Sequence, residues 1–227
     1  MRRRDLLMAG LATIAAPAAH SETGQPVVLE LFTSQGCSSC PPADALLGVL
    51  SRQGGVIALA WHVDYWNNLG WRDPYASRFA TDRQRAYAVQ LHDEVYTPAL
   101  VVNGAAVVVG SDRSAVTAAM AQTPAPSVGA TLRRTGDAVI ATIGTASAPL
   151  SALLAVYEPQ HVTAVGAGEN GGRRLTEYRI VRATHLADAG AGGGTLNFPA
   201  IKPQFGAVLL LQSAELRVVG AADLAPA

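Results

Sequence analysis

The chain carries the sequence TSQGCSSCPPAD at residues 33–44, and the neighbouring segments are arranged around it. An apolar run at 27–32 precedes it and predicts a buried strand, while residues 43–50 have the composition and length of a helix. Cys37 and Cys40 therefore stand at i and i+3 where a helix begins, which is the arrangement of a C-x-x-C redox motif. The positive end of the helix dipole would favour the thiolate form of the first cysteine.

Two structural interpretations compete with a redox-active pair. Cys37 and Cys40 are the only cysteines of the chain, so a disulfide between them would close a very short loop. By the chain-entropy model such a crosslink contributes roughly 2 kcal/mol of stability, against about 4.7 kcal/mol for a loop of about 100 residues. Structural zinc usually has four ligands, and the sequence contains no second C-x-x-C and no C-x-x-H. A redox dithiol is favoured, with a structural disulfide and a metal site as alternatives.

The composition predicts a large core and limits the classes of partner. Of the 227 residues 49% are apolar and 15% are charged, and the formal net charge is zero. Neither nucleic acid nor an anionic membrane surface is therefore expected as a partner.

Residues 1–19 predict a cleaved export signal. Three arginines precede an apolar stretch that is too short for a stable membrane span, and small residues suited to cleavage follow it. The Arg3-Arg4 pair with the leucines after it resembles a twin-arginine signal, and the general secretory route is the alternative. We expect a periplasmic or secreted protein, in a compartment where disulfides persist.

Beyond residue 26 the chain predicts alternating strands and helices. A second apolar run at 56–63 follows the helix after the cysteines, and this order implies a βαβ unit with parallel strands. The segment 62–71 is rich in aromatic residues and predicts either a connection packed on the core or a lip that contacts a partner protein. His62 at its start is either a core histidine or a group that tunes the thiols.

The next part of the chain predicts a helix, a hairpin and a helix. Residues 73–94 have helical character, and their charges, Arg83 among them, indicate a solvated face. Residues 99–109 contain two short apolar runs about a glycine-containing turn, which predicts a β-hairpin. Ser111 is suited to cap a last helix that ends near residue 122.

This order of elements over residues 26–122 resembles a thioredoxin fold. More narrowly, five segments resemble a family of exported bacterial and plant proteins of unknown function with a thioredoxin-like core; they are ELFTSQGCSSCPPAD, HVDYWNNLGWRDP, RQRAY, VYTPALVVNG and GENGGR. The resemblance implies that the Thr97–Pro98 bond is cis and that its loop lies against the cysteines and binds the backbone of the substrate.

The resemblance also implies a buried carboxylate that accepts a proton during exchange. Glu30 precedes Cys37 by seven residues where the superfamily has six, so it is the candidate proton acceptor if the turn holds one extra residue. The alternative is a strand residue that points at solvent or at an arginine. The chain departs further from thioredoxins, because Gly36 replaces the usual aromatic residue and Ser38-Ser39 replaces Gly-Pro between the cysteines.

Past residue 122 the composition changes. Residues 123–126 (TPAP) predict a linker, and 127–220 contains seven short apolar or alternating runs without a helical segment. The predicted fold is therefore an α/β thioredoxin-like domain at 26–122 followed by a smaller all-β, sandwich-like domain. Within it, residues 169–174 (ENGGRR) predict either a glycine-rich hairpin loop or a contact with the cysteine-bearing domain or a partner.

The predicted function is thiol–disulfide exchange with protein thiols or disulfides, without cofactor or metal. Cys37, expected to be the more exposed thiol, would attack, and Cys40 would resolve the mixed disulfide. Thr97 and Pro98 would bind the substrate backbone. The alternatives are a non-enzymatic partner-binding module in which the dithiol is incidental, and a copper-handling protein in which His62 joins the two thiolates.

Overall fold

The structure, a computed structural model, describes residues 25–136 and 138–227. The predicted export signal, residues 1–19, lies outside the described residues. The described elements follow one another in this order: β1 Val27–Thr33, α1 Pro41–Leu50, β2 Val56–His62, α2 Arg78–Leu91, β3 Ala99–Val102, β4 Ala106–Val109, α3 Arg113–Gln122, β5 Ala130–Thr135, β6 Ala138–Ile143, β7 Leu150–Ala164, β8 Arg174–Gly190, β9 Gly194–Pro199, β10 Gly206–Gln212 and β11 Val218–Leu224.

Eight of these strands form one mixed sheet with the order β11-β10-β7-β8-β2-β1-β3-β4. β1 and β2 pair in parallel, which confirms the predicted βαβ unit, and β3 pairs antiparallel to β1. β8 joins β2 in parallel, with Ala60 opposite Ile180. β7, β10 and β11 continue the sheet with antiparallel pairing. Strands from both halves of the chain thus share one sheet.

The predicted fold class is wrong. We expected an α/β thioredoxin-like domain with a separate, smaller all-β domain after it. The described chain is mostly β, with the mixed eight-stranded sheet, a three-stranded sheet β5-β6-β9 and only three short helices. The cause lies at β2, because an edge strand presents unpaired backbone groups that another strand can use. β8 pairs there and extends the sheet into the second half of the chain.

Alternation along β1 assigns its side chains to two different layers. Leu29 and Leu31 pack beneath α1, in an apolar cluster with Ala58 and Ala60 of β2. Val28, Glu30 and Phe32 alternate with them, so their side chains lie on the opposite face, where α2 packs. A third apolar cluster joins the three-stranded sheet to β7, β10 and β11.

β7 and β8 form a hairpin of 15 and 17 residues that reaches from the second half of the chain to the cysteines. Its strands pair from Leu150 opposite Gly190 to Ala164 opposite Arg174. Near its tip Tyr178 lies against Gly48 of α1, where an added Cβ would overlap the Tyr178 ring. This close approach requires a glycine in the helix.

Candidate functional site

Cys37 and Cys40 form a disulfide in the turn between β1 and α1, with their Cα atoms 5.4 Å apart. Cys40 is the N-cap residue of α1, and the helix begins at Pro41, where a backbone N–H would have no helical partner. Both cysteines are fully buried, so the prediction that Cys37 is the more exposed of the two is wrong. The residues between them, Ser38 and Ser39, are exposed.

The loop before β3 lies directly against the first cysteine. Cys37 Sγ is 3.3 Å from Ser39 Oγ and 3.9 Å from the carbonyl oxygen of Thr97, and the Thr97–Pro98 bond is cis as expected. Trp66 Nε1 donates a hydrogen bond of 2.9 Å to Thr97 Oγ1. The structure therefore brings Thr97 and Pro98 together with Cys37, and an aromatic residue of the segment 62–71 holds their loop.

The tip of the β7–β8 hairpin closes the cysteine turn from the other side. Asn170 is buried, and its Nδ2 donates hydrogen bonds of 2.9 Å to the carbonyl oxygens of Gln35 and Cys37. The backbone N–H of Ser38 donates to Glu169 Oε2 at 3.1 Å. The Ser38 side chain, and after it this backbone bond, lower the pKa of the exposed Glu169 carboxyl. The segment 169–174 therefore contacts the cysteine turn, which was one of its two predicted roles.

Four ionisable side chains are buried together beneath α1: Asp44, His62, Asp73 and Glu177. His62 Nδ1 lies 2.7 Å from Asp73 Oδ2, and His62 Nε2 lies 3.8 Å from Glu177 Oε1. His62 pairs in register with Thr33 of β1, so both side chains project from the sheet face that α1 covers. We call these four residues with Thr33 the α1 cluster.

Gln35 connects the α1 cluster to the cysteine turn. Its backbone N–H donates to Asp73 Oδ2 at 2.8 Å, and its Nε2 donates to Glu177 Oε2 at 2.7 Å. Trp71 Nε1 donates in turn to Gln35 Oε1 at 3.0 Å. Because Gln35 precedes Cys37 by two residues, the position of the turn is fixed by the same bonds that hold the cluster.

Burial and mutual charge shift the pKa values of the α1 cluster in different directions. Burial raises the pKa of Asp44 to about 7, against the opposing effect of the His62 charge. Burial alone would lower the pKa of His62, but the Asp73 carboxylate raises it to about 9. His62 overcomes the effect of burial on Asp73 and lowers its pKa, whereas burial raises that of Glu177. Near neutral pH, His62 is charged and Asp44 is close to its midpoint.

Four buried polar atoms of the α1 cluster have no hydrogen-bond partner among the described residues. They are Thr33 Oγ1, Asp44 Oδ1, His62 Nε2 and Glu177 Oε1. Buried polar atoms in native proteins are nearly always hydrogen-bonded, so a group of unpaired ones indicates either a bound water or a role in chemistry.

Glu30 is not brought together with the cysteines. It lies on the opposite face of the sheet, where Arg83 Nε and Nη2 donate to its two carboxylate oxygens at 2.6 and 2.9 Å. Tyr87 Oη donates to Glu30 Oε1 at 2.5 Å, and Gln212 Oε1 accepts from Arg83 Nη1 at 3.0 Å. Arg83 is therefore buried, and the prediction that it belongs to a solvated face is wrong. We call these four residues the α2 cluster.

Sequence patterns missed Asp44, Asp73 and Glu177. Asp44 left a signal, because it is an acidic residue among the apolar positions of α1 and follows Cys40 by four residues. The other two lie 33 and 137 positions after Cys40 in the sequence, and no local pattern places them near it. Within residues 25–136 and 138–227, no group of three or more His, Cys, Asp or Glu side chains is arranged to hold a metal ion. Over the same residues, no helix has the length and apolar character needed to cross a membrane.

Comparisons with known proteins identify relatives but no activity. A family model with the description "Protein of unknown function (DUF1223)" matches residues 28–212. The crystal structure of protein AGR_C_4864 from Agrobacterium tumefaciens is similar, with 30% identity and a TM-score of 0.79 over 91% of this chain and 97% of that one. HBP35 of Porphyromonas gingivalis has 14% identity and a TM-score of 0.62 over 88% and 74% of the two chains, a likeness of fold alone. A comparison with curated proteins gives no match.

Proposed function

We propose a redox function for this chain, which belongs to the family described as "Protein of unknown function (DUF1223)". Cys37 and Cys40 exchange disulfides with partner proteins. The observation that carries the proposal is the position of their disulfide at the beginning of α1, with the Thr97 carbonyl oxygen 3.9 Å from Cys37 Sγ. A cysteine at this end of a helix is stabilised as thiolate by the helix dipole, which makes it a good leaving group and nucleophile.

The exchange proceeds in two balanced steps. A partner thiolate attacks Cys37 Sγ, a mixed disulfide forms, and the bond between Cys37 and Cys40 breaks to leave a thiolate on Cys40, which takes up a proton. A second partner thiolate then attacks the partner sulfur of the mixed disulfide and releases Cys37 as thiolate. The partner loses two electrons as its two thiols become a disulfide, and the Cys37–Cys40 pair gains the same two electrons. The reverse sequence reduces a partner disulfide.

The partner reaches the disulfide on the side of Ser38 and Ser39, which are exposed while both cysteines are covered. Ser39 Oγ bridges Cys37 Sγ and the Thr97 carbonyl oxygen, at 3.3 and 3.5 Å, so its side chain must rotate away before a sulfur can approach. The Thr97 carbonyl oxygen is then free to accept a hydrogen bond from an extended segment of the partner. Thr97 and Pro98 are accordingly proposed as substrate-binding residues.

Two single-cysteine variants test the proposal. Cys40→Ala leaves Cys37 without its resolving thiol, so we expect it to accumulate mixed disulfides with partner proteins, separable on non-reducing gels. Cys37→Ala is the matched control and should accumulate few, because the proposed substrate-binding carbonyl of Thr97 lies at Cys37 Sγ. Equal trapping by both variants would contradict the assigned roles. Absence of trapping by either one, with no thiol exchange in a glutathione redox buffer, would favour the non-enzymatic binding module.

We also propose that the protein acts after export. The predicted signal at residues 1–19 and the chemistry of the pair suit a periplasmic or extracellular compartment, where disulfides persist. Replacing the Arg3-Arg4 pair with two lysines should retain the precursor in the cytoplasm if the twin-arginine route is used. Fractionation of cells that express the variant measures this, and undiminished export would point to the general secretory route.

A further inference from the structure

The α1 cluster is unusual because four buried polar atoms without a hydrogen bond belong to four different elements of the fold. Thr33 ends β1, His62 ends β2, Glu177 lies on β8 and Asp44 lies on α1. All four residues are at least nine-tenths buried, and each has an oxygen or nitrogen atom without a partner. His62 Nε2 and Glu177 Oε1 lie 3.8 Å apart as an ion pair without a hydrogen bond. Buried polar atoms that lack hydrogen bonds can hold or pass on a proton.

Asp44 lies one helical turn beyond the second cysteine. The Asp44 backbone N–H donates to the Cys40 carbonyl oxygen at 3.1 Å, and the backbone angles of Cys40 are helical. Side chains at i and i+4 of a helix lie on the same face, one above the other. Cys40 and Asp44 are therefore neighbours on the buried face of α1, and Asp44 is the acidic residue of its first turn.

We propose that Asp44 donates a proton to Cys40 when the disulfide is reduced and takes it back when the disulfide forms again; this rests on the proposed exchange function. When the partner thiolate attacks Cys37, the bond between the two cysteines breaks and the electron pair remains on Cys40. The Asp44 carboxylic acid protonates that sulfur and becomes a carboxylate. In the reverse direction the Asp44 carboxylate removes the proton from the Cys40 thiol as Cys40 attacks the mixed disulfide.

The groups around Asp44 suit this role. His62 faces it from β2 and favours the carboxylate, whereas Glu177 on β8 and Asp73 in the loop after β2 favour the acid. Thr33 on β1 contributes an uncharged hydroxyl. Burial has the largest effect on Asp44 and, together with these charges, raises its pKa to about 7, near which a group can both give and accept a proton. The Tyr75 ring contacts His62 on one side and His161 and Arg182 on the other, so it lies between His62 and these two residues.

Carboxyl carbon NMR tests the coupling without any protein partner. In the oxidised protein the Asp44 carboxyl should titrate near pH 7, and reduction of the disulfide should shift its midpoint by about one pH unit or more, because interacting sites titrate as a pair. Asp44→Asn identifies the signal. An Asp44 midpoint that is the same in the oxidised and reduced protein would overturn the proposal.

Kinetics provide the second test. We compare reduction by dithiothreitol in the wild type and in Asp44→Asn, and we take the ratio of their rates so that ionisation of the reductant cancels. The wild type should be reduced about ten times faster than Asp44→Asn, or more, near pH 6, where Asp44 carries the proton. The two rates should become equal above pH 8. Asp82→Asn, at an exposed position on α2, is the control and should match the wild type. A ratio that is independent of pH would contradict proton transfer by Asp44.

Thr33→Val keeps the proposal testable if Asp44→Asn does not fold, because it preserves shape and removes only a hydroxyl. That hydroxyl lowers the pKa of Asp44, so its loss should move the pH profile upward by a few tenths of a pH unit. The two proposals fail in different ways. Coupling between Asp44 and the disulfide without partner trapping would reject exchange with proteins, whereas trapping with an uncoupled Asp44 would reject the proton donor alone.

Discussion

The α1 and α2 clusters are two buried polar groups on opposite faces of the same strands, and they differ in how completely they are satisfied. In the α2 cluster Glu30 accepts three hydrogen bonds from Arg83 and Tyr87, and Gln212 joins them from β10. In the α1 cluster four polar atoms have no partner within the described part of the chain. Both clusters are almost entirely removed from solvent.

The difference separates a structural role from a chemical one. A buried ion pair whose lone pairs and protons are all engaged holds its elements in one arrangement and has no free site for a reaction. A buried group with unpaired atoms carries a free-energy cost, and such costs are found mostly where chemistry takes place. The α2 cluster holds α2 and β10 against β1, whereas the α1 cluster lies beneath the cysteine turn.

The largest effect on stability is expected from a substitution in the α2 cluster. Arg83→Leu leaves the Glu30 carboxylate buried without its charge partner, and this should lower the free energy of unfolding by about 3–5 kcal/mol. Urea unfolding at pH 7 measures the loss. Arg85→Leu, at an exposed position of the same helix, is the control and should change stability by less than about 0.5 kcal/mol. A loss below about 1 kcal/mol for Arg83→Leu would remove the structural role of this cluster.

A somewhat smaller effect on stability, and one that depends on pH, is expected from the α1 cluster. Burial raises the pKa of the Asp44 carboxyl from its ordinary value of 3.8 to about 7, so between these pH values the folded protein holds a proton that the unfolded chain releases. Stability from this group is therefore complete below about pH 4 and is lost as the pH rises through 7, by up to about 4 kcal/mol.

Asp44→Asn removes this titration while preserving the shape of the side chain. Relative to the wild type, the variant should gain stability steadily from about pH 4 to about pH 7 in denaturant titrations, and the gain should level off above that pH. Asp82→Asn, which is exposed, should run parallel to the wild type. A constant difference between Asp44→Asn and wild type across this range would mean that the Asp44 carboxyl does not carry a buried proton.

The smallest effect on stability is expected at the exposed edge of the site. Glu169→Gln removes a negative charge beside the cysteine turn but leaves a side chain that can still accept from the Ser38 N–H. Unfolding should be unchanged within error, whereas the alkylation midpoint of reduced Cys37 should fall by a few tenths of a pH unit, because a nearby carboxylate disfavours the thiolate. Mass-spectrometric mapping of the adduct follows the change. Glu158→Gln, on β7 away from the turn, should leave the midpoint unchanged.

Local patterns in the sequence predicted the elements better than their arrangement. The strand before the cysteines, the helix after them, the hairpin over 99–109 and seven strands past residue 126 are all present. The cap of α3 is Asp112 and not Ser111, a difference of one position. Each of these follows from periodicity and turn residues over a short window, and that information is present in any one segment.

The pairing of distant segments could not be predicted in this way. Nothing in the composition of β8 indicates that it pairs with β2, and this pairing overturned the expected fold class. The C-x-x-C pattern located the disulfide correctly. Glu169 and Asn170, which cover the cysteine turn, follow it by more than 130 positions in the sequence. Glu30 was a candidate proton acceptor only through the resemblance, and its pairing with Arg83 is the alternative of a strand residue that points at an arginine.

The long β7–β8 hairpin also determines when the cysteine turn becomes covered during synthesis of the chain. Cys37 and Asn170, which are joined by a hydrogen bond, are separated by 133 positions, so the cysteine turn emerges from the ribosome long before the residues that cover it. Until residues 165–178 have docked, α1 lacks Glu177 beneath it and the turn lacks its cover. Contacts of such separation form late because of the entropy of closing a long loop. The newly made chain therefore passes through an interval in which its two thiols are open to any oxidant or partner, and this interval ends when the hairpin folds over them.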